Sequence, residues 1–174
     1  MMPKRDEMHE ECLEGEEYDM ATISSPLSGE AKNVTAQALQ GALVDLLDLS
    51  LVGKQAHWNV IGPHFRPIHL QLDEVVALAR EHADTVAERL SALGVNPDGR
   101  AATITKSSKI QQLELGWIED GKVVATITDI LDGVSKRMRE RIAATDDSDQ
   151  VTQDIFIAVA QDVEKYRWMF QAQR

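Results

Sequence analysis

Apolar residues return every three or four positions through four long stretches of this chain, and a chain patterned in that way can bury them only by packing helix on helix. From about Asn33 to Ile61 the recurring positions are Val34, Ala38, Leu43, Leu46, Leu47 and Leu51, and Gly62-Pro63 supplies a stop. A second helix is expected from near Pro67, whose fixed φ suits a first turn, to Leu93-Gly94, with the turn residues Asn96-Pro97-Asp98-Gly99 behind it. A third is expected from about Glu119 to Ala144, on the stripe Val124, Ile127, Ile130, Leu131, Val134, Met138 and Ile142. Asp146-Asp147-Ser148-Asp149 then interrupts the pattern and offers caps to a fourth, from about Gln150 to Gln173, carrying Val151, Ile155, Val159, Val163 and Phe170. No strand pattern competes, so the expected fold is an all-α four-helix bundle.

The link between the second and third helices, Arg100 to about Gly116, is long, polar and mixed. It permits a crossover connection rather than a tight turn, and Lys109 to Leu113 is where one short helical piece is expected. At 174 residues the chain suits one domain, able to bury about two-thirds of its unfolded surface. That domain is expected over residues 31–174. Residues 1–30 carry eight acidic side chains between Asp6 and Asp19 against only Lys4 and Arg5, and read as a flexible acidic tail.

The single cysteine, Cys12, excludes a disulfide framework within the chain and fits a reducing compartment, so a cytoplasmic location is expected. Neither a signal-peptide pattern nor a run of about 20 apolar residues is present, so no membrane segment is expected. A formal net charge of −11 argues against strong binding of a phosphate backbone and favours the accumulation of cations.

The second helix holds the most informative pattern. His69 and Asp73 lie four residues apart and share a helical face, and Asp84 and Glu88 repeat that spacing. The eleven residues from Asp73 to Asp84 make close to three turns, so both pairs lie on one stripe. They are nevertheless separated by roughly 16 Å along the axis, too far for one metal site within one chain. Two copies of this helix crossing antiparallel about a two-fold axis would resolve the distance, setting His69 and Asp73 of one chain opposite Asp84 and Glu88 of the other. Ala77, midway along the stripe, is small enough to allow the approach. Imidazole nitrogen with carboxylate oxygen suits Fe(II), Mn(II) or Zn(II). His57, near the end of the first helix, adds a nitrogen ligand if that helix packs against the start of the second.

The stretch KQAHWNVIGPHFRPIHLQLDEVVALAREHADTVAERL resembles the ferroxidase signature of the Dps family of ferritin-like miniferritins. His57, His69, Asp73, Asp84 and Glu88 all match it, and the likeness extends over residues 33–174, through Asp149-Gln150-Val151-Thr152-Gln153-Asp154 and Trp168. The resemblance implies a hollow homododecamer with a dinuclear iron site shared between two-fold related subunits, His57, His69 and Asp73 coming from one and Asp84 and Glu88 from its mate. It implies a ferroxidase that uses hydrogen peroxide, or dioxygen, to oxidise ferrous iron and stores the ferric mineral in its cavity. Trp58, beside His57, resembles a buried tryptophan near that site that would quench stray oxidising equivalents. Asp149 and Asp154 match an acidic opening that lines three-fold pores, an ion pathway. Larger ferritins instead need Glu-x-x-His pairs, and none of the five histidines follows a Glu by three.

Other residues carry plainer expectations. His64 and His82 are expected to be solvated or bonded to a nearby carboxylate, Trp168 to be an ordinary core aromatic, and His9 to be part of a soluble tail. N-capping competes with the pore role for Asp149. Relatives that compact DNA commonly use Lys/Arg-rich tails, whereas this N-terminus is acidic and the chain ends at Arg174 directly behind the last helix. DNA binding is therefore expected to be weak or absent, and a DNA-compacting role is the alternative to iron oxidation.

Overall fold

The computed structural model describes residues 23–174; Cys12, His9 and the acidic run from Asp6 to Asp19 lie outside the described residues. Four long helices form the body: α1 (Gly29–Asn59), α2 (Phe65–Ala92), α4 (Asp120–Ala144) and α5 (Gln150–Gln171), with a short α3 (Ala101–Ser107) in the crossover. Two residue pairs add a minimal parallel sheet, β1 (Val60–Ile61) beside β2 (Ile118–Glu119). Because β1 follows α1 and β2 precedes α4, that pairing brings the end of α1 and the starts of α2 and α4 to one end of the bundle. The helices therefore run up, down, down and up, and residues 93–119 must travel the bundle's length to begin α4. The expected all-α four-helix bundle with a long crossover is what forms, ferritin-like in topology.

Of the expected stripes, Leu43 and Leu46 of α1, Ile127, Leu131, Val134 and Met138 of α4, and Val159, Val163 and Phe170 of α5 enter the core, joined by residues outside them. Leu39, Leu46 and Leu49 of α1, Leu72, Val75 and Leu90 of α2, Ile127, Leu131 and Met138 of α4, and Phe156, Val163 and Phe170 of α5 are fully buried. Each side chain of this size contributes about 1.5–3 kcal/mol by leaving water. Of the other stripe members, Val34, Ala38, Leu47, Ile142 and Ile155 are only partly buried, and Leu51 and Val151 are 55% and 57% exposed.

Local chemistry fixes the ends. The first helix stops at Asn59, and Gly62, at φ +132°, turns the chain where any Cβ would meet the Asp120 carboxylate at 2.6 Å. That carboxylate accepts the backbone N–H of His64 at 2.7 Å and of Gly121 at 2.8 Å, tying the α1–α2 turn to the start of α4. Pro67 sits in the first turn of α2, where its missing N–H leaves no bond unmade.

Polar clamps from α1 hold the other elements. Buried Asp45 accepts from Arg137 through Nε and Nη2, at 2.9 Å each, and from Arg141 Nη2 at 2.7 Å, locking α1 against α4. Gln40 donates to the Asp98 carbonyl and accepts its N–H, both at 2.9 Å, while Asp48 accepts from Ser108 and, at 3.0 Å, from Gln112. These bonds lay the crossover along α1. The short helix lies at Ala101–Ser107, not at Lys109–Leu113 as expected. Asp98 accepts the Thr103 hydroxyl at 2.7 Å in its first turn, and Ile104 is the residue of this helix that is buried.

Candidate metal centre

The α1–α2 hairpin brings the last turns of one helix against the first turns of the other, and the candidate ligands meet there. His57 is buried, and its ring stacks on that of His69 with centroids 3.6 Å apart and planes 22° from parallel. The two histidines exchange bonds reciprocally: His57 Nδ1 lies 2.9 Å from the His69 carbonyl oxygen, and His69 Nδ1 lies 2.9 Å from that of His57. A carbonyl only accepts, so each Nδ1 carries a proton and Nε2 is the ring nitrogen left to serve as a ligand. Histidines that ligate metals are commonly oriented by this kind of bond from the other ring nitrogen. Phe65 covers His69 at 4.9 Å.

Asp73, one turn beyond His69, places Oδ1 3.3 Å from His57 Nδ1. The same oxygen receives the Lys54 ammonium. Its hydrogen bond holds the Asp73 carboxyl below the ordinary range, against the upward pull of desolvation and with the charges at His57, Lys54 and His69 adding to the fall. Sequence reasoning gave Lys54 no role. Its signal was the three-residue spacing to His57, which puts both on one face of α1.

Within one chain the set stays incomplete. His57, His69 and Asp73 gather, but Asp84 and Glu88 stand exposed further along α2, with Ala77 exposed between the pairs. Among the described residues no three His, Cys, Asp or Glu side chains are close enough to hold a metal ion. The donor set nonetheless suits a divalent ion, with two oriented imidazoles and one carboxylate that already attracts a cation.

The remaining site expectations divide. Trp58 is 62% exposed, because the position after His57 points away from α2; it lines a cleft of about 640 Å³ with Leu51, Ile104, Leu113 and Leu115. Trp168, expected in the core, is also 62% exposed. Asp149 caps no backbone N–H of α5 with its side chain. It turns inward, accepting from Arg89 Nη2 at 2.6 Å and from the Thr152 hydroxyl. Burial would raise its pKa, but these two bonds and the Arg89 charge outweigh that and lower it. Asp154 is exposed, as are Asp146 and Asp147 in the turn before α5. His64 and His82 each meet a carboxylate, Asp120 at 3.2 Å and Asp162 at 3.0 Å, as expected.

Comparison with known proteins gives a consistent picture. The model of the ferritin-like domain matches residues 36–174. DNA protection during starvation protein 2 of Deinococcus radiodurans is 33% identical over 89% of this chain, which spans 64% of that relative's length. The DNA protection during starvation protein of Mycolicibacterium smegmatis is 35% identical, with 88% of this chain and 84% of that one covered. Among solved structures, Mycobacterium smegmatis Dps in its tetragonal form superposes with a TM-score of 0.83 at 33% identity, covering 88% of this chain and 93% of that one. Dps from Microbacterium arborescens in the high iron form gives 0.81 at 33% identity, over 86% and 97% of the two chains.

Proposed function

Because this chain belongs to the Dps family of ferritin-like proteins, we propose that it oxidises ferrous iron at dinuclear sites shared between two-fold related copies of itself. The observation that carries this reading is the half-site. His57 and His69 are locked with Nε2 free to bind, Asp73 stands beside them, and the complementary pair Asp84 and Glu88 is exposed on the same stripe, roughly 16 Å of helical rise away. Two antiparallel α2 helices bring the halves together. Support for a second copy also comes from apolar side chains beside the site on α2, where Phe65 and Leu70 are 42% and 47% exposed.

The residues divide the work. The imidazoles and carboxylates bind and orient two ferrous ions, and the carboxylates offset the charge gained when each loses an electron. Hydrogen peroxide is the oxidant assigned, one molecule taking two electrons from two ferrous ions; dioxygen is the alternative. The ferric product is stored as mineral in a hollow dodecamer, in the cytoplasm, which removes both reactants that generate hydroxyl radicals. Ion uptake is assigned to the acidic opening of α5, with exposed Asp154 attracting cations and Asp149 supporting the turn through Arg89. Trp58 is assigned as the residue that intercepts stray oxidising equivalents once the second copy covers it.

The test is oxidation of ferrous iron by peroxide in the assembled protein. The expected result is consumption in a ratio of about two to one by a particle of about twelve subunits, with loss of activity in His57→Ala. Oxidation at wild-type rates in His57→Ala would remove the assignment. A gel-shift series at rising salt checks DNA: binding is expected to be weak, and tight binding at moderate salt would favour a DNA-compacting role instead.

A further inference from the structure

We propose that the cleft between α1, the crossover and α4 binds a small tetrahedral oxyanion, a phosphate group, in a recess of surplus positive charge. The cleft holds about 230 Å³ and is walled by Gly41 and Asp45 of α1, Ser107 and Lys109 of the crossover, and Arg137 and Arg141 of α4. Among the described residues Asp45 is the one carboxylate in that lining, so three cations face a single acid. A recess of this sign runs against a chain whose formal net charge is −11. It is separate from the metal centre, since α1 rises roughly 18 Å between Asp45 and His57.

Asp45 does not need both guanidinium groups. Arg137 alone meets both of its oxygens, Nε at 2.9 Å from Oδ2 and Nη2 at 2.9 Å from Oδ1, the paired geometry that suits a carboxylate. Arg141 Nη2 adds a further bond at 2.7 Å, and with it a positive charge that no acid of the cleft balances. The two arginine side chains are 20% and 15% exposed, so solvent screens this surplus less than it would at the open surface. Among the described residues, Arg137 Nη1 and Arg141 Nε donate to no protein oxygen, and Lys109 is exposed without a carboxylate partner.

The backbone beside both arginines is glycine. A Cβ at Gly41 would meet Arg141 Nη2 at 3.0 Å, and one at Gly133 would meet Arg137 Nη1 at 3.3 Å. Glycine is unfavourable in a helix interior, and here it leaves room for the guanidinium groups to lie against α1 and α4. Guanidinium forks recognise phosphate oxygens in pairs, an ammonium does so as a point charge, and the Ser107 hydroxyl adds a neutral donor. A recessed cluster favours a compact terminal phosphate, which carries close to two charges, over the single charges spaced along the convex surface of a duplex. An anion held there joins α1, the crossover and α4, and stabilises the folded chain by mass action.

Calorimetric titration of the assembled, metal-depleted protein with inorganic phosphate, in chloride buffer at low salt, tests the assignment. Wild type is expected to bind about one phosphate per chain with a Kd on the order of 0.1–1 mM. Lys109→Gln, at an exposed position, should weaken binding about fivefold to tenfold, and Arg141→Met, which leaves Asp45 its bonds to Arg137, at least as much. Lys106→Gln, exposed on the crossover but outside the cleft lining, should stay within about twofold of wild type. Melting temperature and particle size without phosphate monitor folding in each variant. A 5′-nucleoside monophosphate separates the sources: tighter binding than inorganic phosphate assigns an esterified phosphate, and equal or weaker binding assigns the free ion. No binding by wild type below about 10 mM of either probe overturns the proposal. Equal losses in Lys106→Gln and Lys109→Gln, or unchanged affinity in both Lys109→Gln and Arg141→Met, do so as well. Duplex DNA that binds where phosphate does not, and is lost in the same two variants, would assign the cleft to a nucleic-acid backbone instead.

Discussion

The two ends of α2 treat their acids in opposite ways. At the start of the helix Asp73 is met from α1 by Lys54 and His57, with His69 one turn below it, so a ligand group is assembled from within the chain. At the far end Asp84 and Glu88 stand exposed, although a cation is at hand: Arg89 follows Glu88 directly but reaches across to Asp149 and Thr152 on α5. One end has imidazoles and a compensated charge; the other has bare charge and no nitrogen ligand. Each lacks what the other offers. Carboxylates left uncompensated on an exposed stripe cost little in water and gain when a cation arrives, which is how half of a shared site can wait without destabilising the subunit.

The largest effect should come from separating the halves genetically. His57→Ala or Asp73→Ala is expected to slow peroxide-driven iron oxidation by about 100-fold or more, and Asp84→Ala with Glu88→Ala to do the same. Mixing the two kinds of chain through dissociation and reassembly sharpens the comparison. In a mixed dimer one site combines both lesions and the other is intact, so an equal mixture should recover about a quarter of wild-type activity. No recovery, with mixed particles verified by mass, would mean that the two ends of α2 do not complement each other.

A smaller effect separates the cation from the acids at the far end. Arg89→Ala leaves the buried Asp149 uncompensated and should cost about 3 kcal/mol in chemical denaturation, while Glu88→Gln next to it should change stability by less than about 0.5 kcal/mol. Equal costs would erase the distinction between a compensated and a bare carboxylate. Acid gives an independent check. The pKa of Asp149 is lowered in the folded chain, so its pairing stabilises fully above the ordinary aspartate value near 4 and is lost as pH falls through the lower folded value. Unfolding followed from pH 6 down to about 2 should therefore show a loss of stability below pH 4 that is reduced in Asp149→Asn.

How much of this was legible in the sequence follows from the range of each interaction. The four helices announce themselves because burial repeats at i, i+3 and i+4, and Leu39, Val75, Leu131 and Val163 obey it. The same rule misleads at stripe edges, where Leu51 and Val151 keep the period yet face outwards. Seven residues in α3 and two in each strand are too few to show any period, and the crossover's path is set by Gln40 and Asp48, whose partners lie about 60 residues away. In the candidate site, the pairs His69–Asp73 and Asp84–Glu88 stood out by helical spacing, whereas His57 entered through its place near the end of α1 and through the family resemblance. Lys54 did not stand out, since a lysine on a helix reads as solvated until the facing helix is known. Asp149 suffered the same ambiguity: an acid at a helix start reads as a cap, and only the fold reveals Arg89 opposite it.

The smallest effect expected lies at the opening of α5, where the comparison between compensated and bare acids recurs within six residues. Asp149 is bound to Arg89, whereas Asp154 is exposed with no bearing on the core. Asp154→Asn should leave stability within about 0.5 kcal/mol of wild type and lower the rate of iron uptake by only about twofold, because exposed Asp146 and Asp147 in the turn before α5 keep most of the local field. Raising the salt concentration should shrink even that difference, since attraction of an ion by exposed charges is screened within about 10 Å at 0.1 M. Stopped-flow uptake of ferrous iron at two ionic strengths measures it. An Asp154→Asn rate equal to wild type at low salt would leave the acidic opening without a part in guiding iron, and would confine the functional acids to α2.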